Sequence, residues 1–191
     1  MSLTRLQTKR LTLRPYAVAD IPALVPLIGA REVAATTLRI PHPYREADAR
    51  DFIAATKEDV STGNELRLAV IMRESGSLCG GMGLRIETDH LRAELGYWIG
   101  VPYWGKGYAT EAAAAMVNYG FDTLGLHRIF AGHVANNLAS ARVLQKIGMR
   151  HEGCQRGHIL KWGEFLDLEL YGMLTPNKDA IFMPKTNSQA E

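Results

Sequence analysis

Apolar residues recur along the chain with two periods, and each period marks a kind of element. Leu11-Thr12-Leu13-Arg14 alternates with a period of two, as a half-buried strand does, and Pro15 closes it. Asp20-Ile21-Pro22 pairs a capping side chain with a proline in the first turn, which predicts a helix to about Gly29. The segment Arg31 to Tyr44 holds Pro41 and Pro43 and is expected to be irregular. From about Arg45 to Ser61, helical spacing puts Ala49, Phe52, Ile53 and Thr56 on one face. Past Gly63-Asn64 the period returns to two. Leu66, Leu68, Val70 and Met72 alternate, Ser75-Gly76 reads as a hairpin turn, and Leu78–Glu87 forms the next strand.

Thr88-Asp89-His90 turns the chain into a strand over Ala93–Gly100. A loop, Val101–Gly107, precedes a helix from Tyr108 to about Leu124, whose apolar face is Ala113, Met116, Val117, Gly120, Phe121 and Leu124. Gly125 ends it as a C-cap glycine would. His127–Val134 is the next strand, Asn136-Asn137 caps a further helix that Gly148 stops, and Arg150 to Leu174 makes two strands joined near Trp162-Gly163. The order predicts an α+β fold with a mixed, mostly antiparallel sheet flanked by helices. Its central strand–helix–strand unit makes Ala93–Gly100 and His127–Val134 parallel neighbours. The expected organisation is one domain over residues 1–175 and a polar, loosely ordered tail over 176–191.

Composition narrows the class of protein. Hydrophobic residues make up 47% of the chain and charged residues 22%, the balance of a globular protein. The net charge of +2 is spread without a basic run, so nucleic acid is not an expected partner. Cys79 and Cys154 belong to no metal-spaced cluster and read as reduced thiols. His42, His127, His133 and His158 form no ligand set either, so no metal is expected. The start of the chain has no apolar core of a signal peptide, and no apolar run approaches the roughly 18 residues of a membrane span. A cytoplasmic protein without membrane contact is the expectation.

The chemistry concentrates in Trp104-Gly105-Lys106-Gly107-Tyr108-Ala109-Thr110, between a strand and a helix. Two glycines one residue apart let the backbone turn tightly and aim successive N–H groups at one point. The free N–H groups and dipole of the following helix complete a site for phosphate or pyrophosphate. Lys106 adds a cation to the same loop. No GxxxxGK[ST] occurs, which argues against nucleoside-triphosphate hydrolysis. A dinucleotide fingerprint fails as well: Thr110 stands at the third glycine position, and no carboxylate follows His133-Val134-Ala135-Asn136-Asn137.

Three blocks, Glu94–Gly100, Tyr103–Ala112 and Asn137–Met149, together with Thr8–Pro15, resemble the GNAT acetyltransferase superfamily. The closest branch is that of the RimJ/RimL-type ribosomal-protein N-terminal acetyltransferases. The resemblance spans nearly the whole chain and implies acetyl-CoA as co-substrate, with its pantetheine arm in a V between the two parallel strands. It implies backbone contacts from Ile99, Gly100 and Val101, with one N–H on the thioester carbonyl. It places the pyrophosphate on Gly105, Gly107, Tyr108, Ala109 and Thr110, and Asn137, Ser140 and Arg142 beside the cofactor, with the loop cation Lys106 a further cofactor-binding candidate. Pro102 stands where the family's loop has Arg or Gln, leaving the grip to the backbone.

Transfer to an amine requires a neutral amine, a polarised carbonyl and a proton for the leaving thiolate. Glu94 is the candidate base, acting through water, with ion pairing to Arg92 as its bland alternative. Ser140 is the candidate proton donor. The tyrosine that many family members carry in the last helix is absent between Asn137 and Met149. Tyr44, Tyr103 and Trp162 are candidates for the acceptor pocket. The implied activity is N-acetylation of a protein N-terminus or a small-molecule amine by direct attack in a ternary complex, in a monomer or homodimer. The alternatives are an acetyl-CoA-binding regulatory module without turnover and an interaction domain without cofactor.

Overall fold

The computed structural model of the chain describes residues 4–176, leaving out the side chains of 57–62. Two short strands, β1 (Leu6–Gln7) and β2 (Leu11–Arg14), lead into helices α1 (Ile21–Ile28), α2 (Arg31–Thr36) and α3 (Glu46–Thr62). Strands β3 (Glu65–Met72), β4 (Leu78–Glu87) and β5 (Arg92–Ile99) follow, then helix α4 (Tyr108–Asp122), strand β6 (Arg128–Val134) and helix α5 (Leu138–Lys146). Strands β7 (Arg150–Lys161) and β8 (Glu164–Leu174) end the described chain. All eight strands join one sheet in the order β1-β2-β3-β4-β5-β6-β8-β7. Among the described strands, only β5 and β6 pair in parallel. The tail expected after Pro176 lies outside the described residues.

Alternation along the strands sends side chains into two apolar layers. Leu68 and Val70 of β3 meet Leu11, Leu13, Leu84, Met116 and Leu144 under α4 and α5. Ala69 and Ile71 face the other way, against Leu24, Ile28, Ala49 and Ile53 of α1 and α3. The predicted face of α3 is buried as expected, including Thr56, whose hydroxyl donates to the Ile53 carbonyl at 2.7 Å.

The pattern of the chain did not indicate two elements. Strand β1 is too short to show a period and exists through its pairing with β2. Helix α2 occupies the first part of the segment expected to be irregular and buries Val33 and Ala34. The prolines that break helix lie later, at Pro41 and the cis His42–Pro43 bond. Helix α4 stops at Asp122, two residues before the expected end, with Thr123 as its C-cap. The turn between β7 and β8 falls at Trp162-Gly163 as expected. Both residues have positive φ, 50° and 89°, the backbone that a two-residue hairpin turn of matching twist requires.

Asp20 sits at the N-cap of α1, yet its carboxylate does not cap that helix. It accepts two hydrogen bonds from Arg14, at 2.7 and 2.8 Å, and one from the Ala17 N–H at 2.8 Å. Burial opposes its charge, but the Arg14 bonds, the Ala17 N–H and the Arg14 charge outweigh burial and hold the carboxyl below its ordinary value. A depressed folded value stabilises the fold above the unfolded value, near 3.9, and the contribution is lost as pH falls through the folded value. Asp20→Asn should therefore lower unfolding stability at pH 7 by about 2 kcal/mol. Urea denaturation across pH should show the gap to wild type closing in acid. A gap unchanged down to pH about 2 would contradict this assignment.

Candidate active site

The site begins where β5 and β6 separate. Their parallel pairing holds only at Arg92↔Arg128, Ala93↔Ile129 and Glu94↔Phe130. Beyond Glu94, β5 stays paired with β4 as far as Gly80↔Ile99, and β6 stays paired with β8 as far as Val134↔Leu168. Each strand follows its outer neighbour, so the two diverge into a V with Glu94 at its closed end.

Strand geometry decides which backbone groups line that V. The Gly100 N–H donates to the Cys79 carbonyl at 2.9 Å, on the β4 side. Alternation then turns the peptide groups of Leu95, Tyr97 and Ile99 toward the opening. The Trp104 indole donates to the Ile99 carbonyl at 2.6 Å, leaving the Ile99 N–H facing the gap. The Gly100 carbonyl accepts from the Tyr103 N–H at 2.9 Å, and the Val101 carbonyl from the Trp104 N–H at 3.1 Å. Of the three backbone contacts that the resemblance implies, both polar groups of Gly100 and the Val101 carbonyl are thus engaged within the chain.

After a 3-10 turn at Val101–Tyr103, Gly105 and Gly107 take left-handed backbone, with φ of 74° and 79°. Gly107 is the N-cap of α4, and the first helical bond runs from the Glu111 N–H to the Gly107 carbonyl at 3.1 Å. The N–H groups of Tyr108, Ala109 and Thr110 precede that bond and have no partner within the helix. Among the described residues, no side chain caps this end. The Lys106 ammonium lies 5.7 Å from the centre of the Tyr103 ring.

Helix α5 closes the other side of the V. The Asn137 side chain is its N-cap and accepts from the Ser140 N–H at 3.1 Å. Ser140 is buried, and its hydroxyl lies 2.7 Å from that of Tyr97. Burial pushes the Tyr97 phenol up to about 12, with the Ser140 bond working against burial, so the phenol keeps its proton at neutral pH. Arg142 is exposed on the same helix.

On the other face of β5, a cavity of about 470 Å³ lies beneath the segment 37–44 and α3. Gly81, Gly83 and Gly96 line it, and a Cβ on Gly96 would meet nothing within 4 Å. Glu94 lines it too, and one of its oxygens, Oε2, accepts from Arg39 at 2.9 Å and from Arg85. Its partners are therefore not Arg92, which pairs with Glu87 at 2.7 Å. The Tyr44 hydroxyl is buried there with no hydrogen-bond partner among the described residues, and burial, then the charge of Asp48, pushes it up to about 12.

Of the three aromatics expected in the acceptor pocket, only Tyr44 lines the cavity; Tyr103 and Trp162 do not. Tyr103 packs against the layer under α4, and Trp162 lies half-exposed beside Arg31 and His42. Tyr97, Arg39 and Arg85 escaped the sequence reading. Tyr97 stands an odd number of residues from Glu94, on the opposite strand face, and that parity was the available signal. Among the described residues, no three His, Cys, Asp or Glu side chains gather as a metal site would require.

A strand pair that opens into a V, followed by a glycine turn and a helix N-terminus that no described side chain caps, is the arrangement that the resemblance to the acetyltransferase superfamily implies. The family model for the acetyltransferase (GNAT) domain matches residues 10–150, and the chain belongs to that family. Its co-substrate is acetyl-CoA, and it is an N-acetyltransferase. The chain is 32% identical over 171 residues to the N-acetyltransferase p20 of Bacillus licheniformis, covering 88% of this chain and 95% of the relative. It is 35% identical over 83 residues to the [ribosomal protein uS5]-alanine N-acetyltransferase of Escherichia coli, covering 44% and 43% of the two chains. The crystal structure of a GNAT-family acetyltransferase from Bacillus anthracis superposes with a TM-score of 0.79 at 29% identity, over 90% and 98% of the two chains.

Proposed function

We propose that this protein acetylates an α-amine, on a protein N-terminus or a small molecule, by direct attack in a ternary complex. The observation that carries the reading is the placement of β5. Its backbone edge faces the V, while Glu94 and Gly96 line the cavity on its other face. Donor and acceptor thus approach one strand from two sides.

The roles follow from position. The Ile99 N–H polarises the thioester carbonyl. Oε1 of Glu94, the oxygen outside both arginine bonds, accepts the proton of the amine through a bound water, which takes the amine proton as it gives one of its own to the carboxylate. Ser140, backed by the Tyr97 hydroxyl, gives a proton to the leaving thiolate. Gly105, Lys106, Gly107, Tyr108, Ala109 and Thr110 hold the pyrophosphate, with Asn137 and Arg142 beside the cofactor. An α-amine, with a reference pKa near 8, is roughly a tenth neutral at pH 7, against about 0.04% for lysine. One carboxylate acting through water suffices for the former. The uS5-alanine relative acts on such an amine by name, which supports this choice. We place the protein in the cytoplasm, where such acceptors are made, as a monomer or homodimer.

The test is thiol release from acetyl-CoA across N-terminal peptides, amino acids, polyamines and aminoglycosides. The highest rates are expected with α-amines; acetyl-CoA binding without transfer to any of them would favour the regulatory module instead. Gly96→Leu fills the cavity from its floor. It should cut kcat/KM for the amine about a hundredfold while calorimetric CoA affinity stays within about twofold. Full amine turnover in that variant would mean that the acceptor enters elsewhere.

A further inference from the structure

The turn between β1 and β2 reaches the cofactor loop through one side chain. Arg10 donates from Nη1 to the Lys106 carbonyl at 3.0 Å, and its guanidinium lies 4.7 Å from the centre of the Tyr108 ring. Two further bonds fix it on Glu111 in the first turn of α4: the Arg10 backbone N–H at 2.7 Å and Nε at 2.6 Å. The Thr8 hydroxyl donates to the same carboxylate at 2.6 Å. An arginine held at backbone, Nε, Nη1 and ring face has one orientation.

That orientation has a consequence across the peptide bond. In a planar trans peptide the C=O and the following N–H point in opposite directions. Arg10 holds the Lys106 carbonyl on its own side, so the Gly107 N–H points away from Arg10. Gly107 sits at φ 79°, flanked by a loop that includes a second left-handed glycine, and glycine opposes a peptide rotation only weakly. We propose that Arg10 is a positioning residue for the acetyl-CoA pyrophosphate site: it pins the Lys106–Gly107 peptide so that the Gly107 N–H faces the phosphates. Glu111 is the anchor that holds Arg10 in place, and Arg10 in turn offsets the carboxylate charge beside an anion site. The proposal rests on the loop being the pyrophosphate cradle.

Two donors and two variants test it. Acetyl-CoA carries the pyrophosphate and S-acetylpantetheine does not. Arg10→Ala should raise the KM for acetyl-CoA about tenfold with kcat retained, and leave kcat/KM for S-acetylpantetheine within about twofold. Equal losses with both donors, or an unchanged acetyl-CoA KM, would overturn the pin. Glu111→Gln separates pinning from direct attraction between Arg10 and phosphate. Pinning predicts weaker acetyl-CoA binding once the anchor is neutralised; direct attraction predicts tighter binding, because a nearby negative charge is gone, and that result also overturns the proposal. Should Arg10→Ala not fold, Glu111→Gln decides alone. A wild-type protein that shows no preference for acetyl-CoA over S-acetylpantetheine would instead sink the cradle itself.

Discussion

Glu94→Gln is expected to lower kcat/KM for the amine about a hundredfold, the usual contribution of a positioned general base. The amide no longer takes a proton, and KM for acetyl-CoA should hardly change because no cofactor contact is lost. The carboxylate also sits between two cations, Arg39 and Arg85, so removing its charge leaves both uncompensated. That second effect needs its own control. Adding Arg85→Gln to Glu94→Gln relieves the repulsion without restoring a base. The double variant should stay as slow as the single one. Recovery of activity in it would show that Glu94 only balances charge, and the base would then have to be sought elsewhere.

Tyr97→Phe and Ser140→Ala should each lower kcat about a hundredfold, and the double variant should be no slower than the worse single one. The two hydroxyls lie 2.7 Å apart, and in the proposed mechanism they form one proton chain that the loss of either member interrupts. The Tyr97 phenol keeps its proton far above neutral pH, which suits a group that restores the serine proton and not one that accepts a proton from the amine. Multiplying losses would mean separate roles for the two residues. Full activity in Ser140→Ala would remove the serine from the reaction. Thermal unfolding of all three variants separates these effects from the loss of a buried hydrogen bond, about 1 kcal/mol.

Much of this architecture is written in periodicity. The strands from Leu66 onward and the buried faces of α3 and α4 follow apolar spacing because burial on one side imposes it. The glycine loop is equally legible, since its function depends on backbone conformation at neighbouring positions. Helix α2 escaped because its six residues bury only Val33 and Ala34 and precede two prolines that signal irregular chain. The glycines of β4 look like weak points in a strand; the fold uses Gly81 to admit the Tyr16 hydroxyl and the Trp98 ring, and Gly83 to admit the Leu66 carbonyl, all of which a Cβ would strike.

The sequence alone determined the order of the elements apart from β1 and α2, the parallel strand pair, the glycine turn before α4, and the candidacy of Glu94 and Ser140. The tertiary structure decided the partners. Glu94 meets Arg85 because antiparallel register sets them opposite, and meets Arg39 because the segment before Tyr44 folds over β5. Ser140 meets Tyr97 across the V, 43 residues away. Arg10 reaches Lys106 across 96 residues. Local spacing encodes which face of an element is buried. It carries no information about which distant side chain arrives there, because that depends on register, strand divergence and the path of loops.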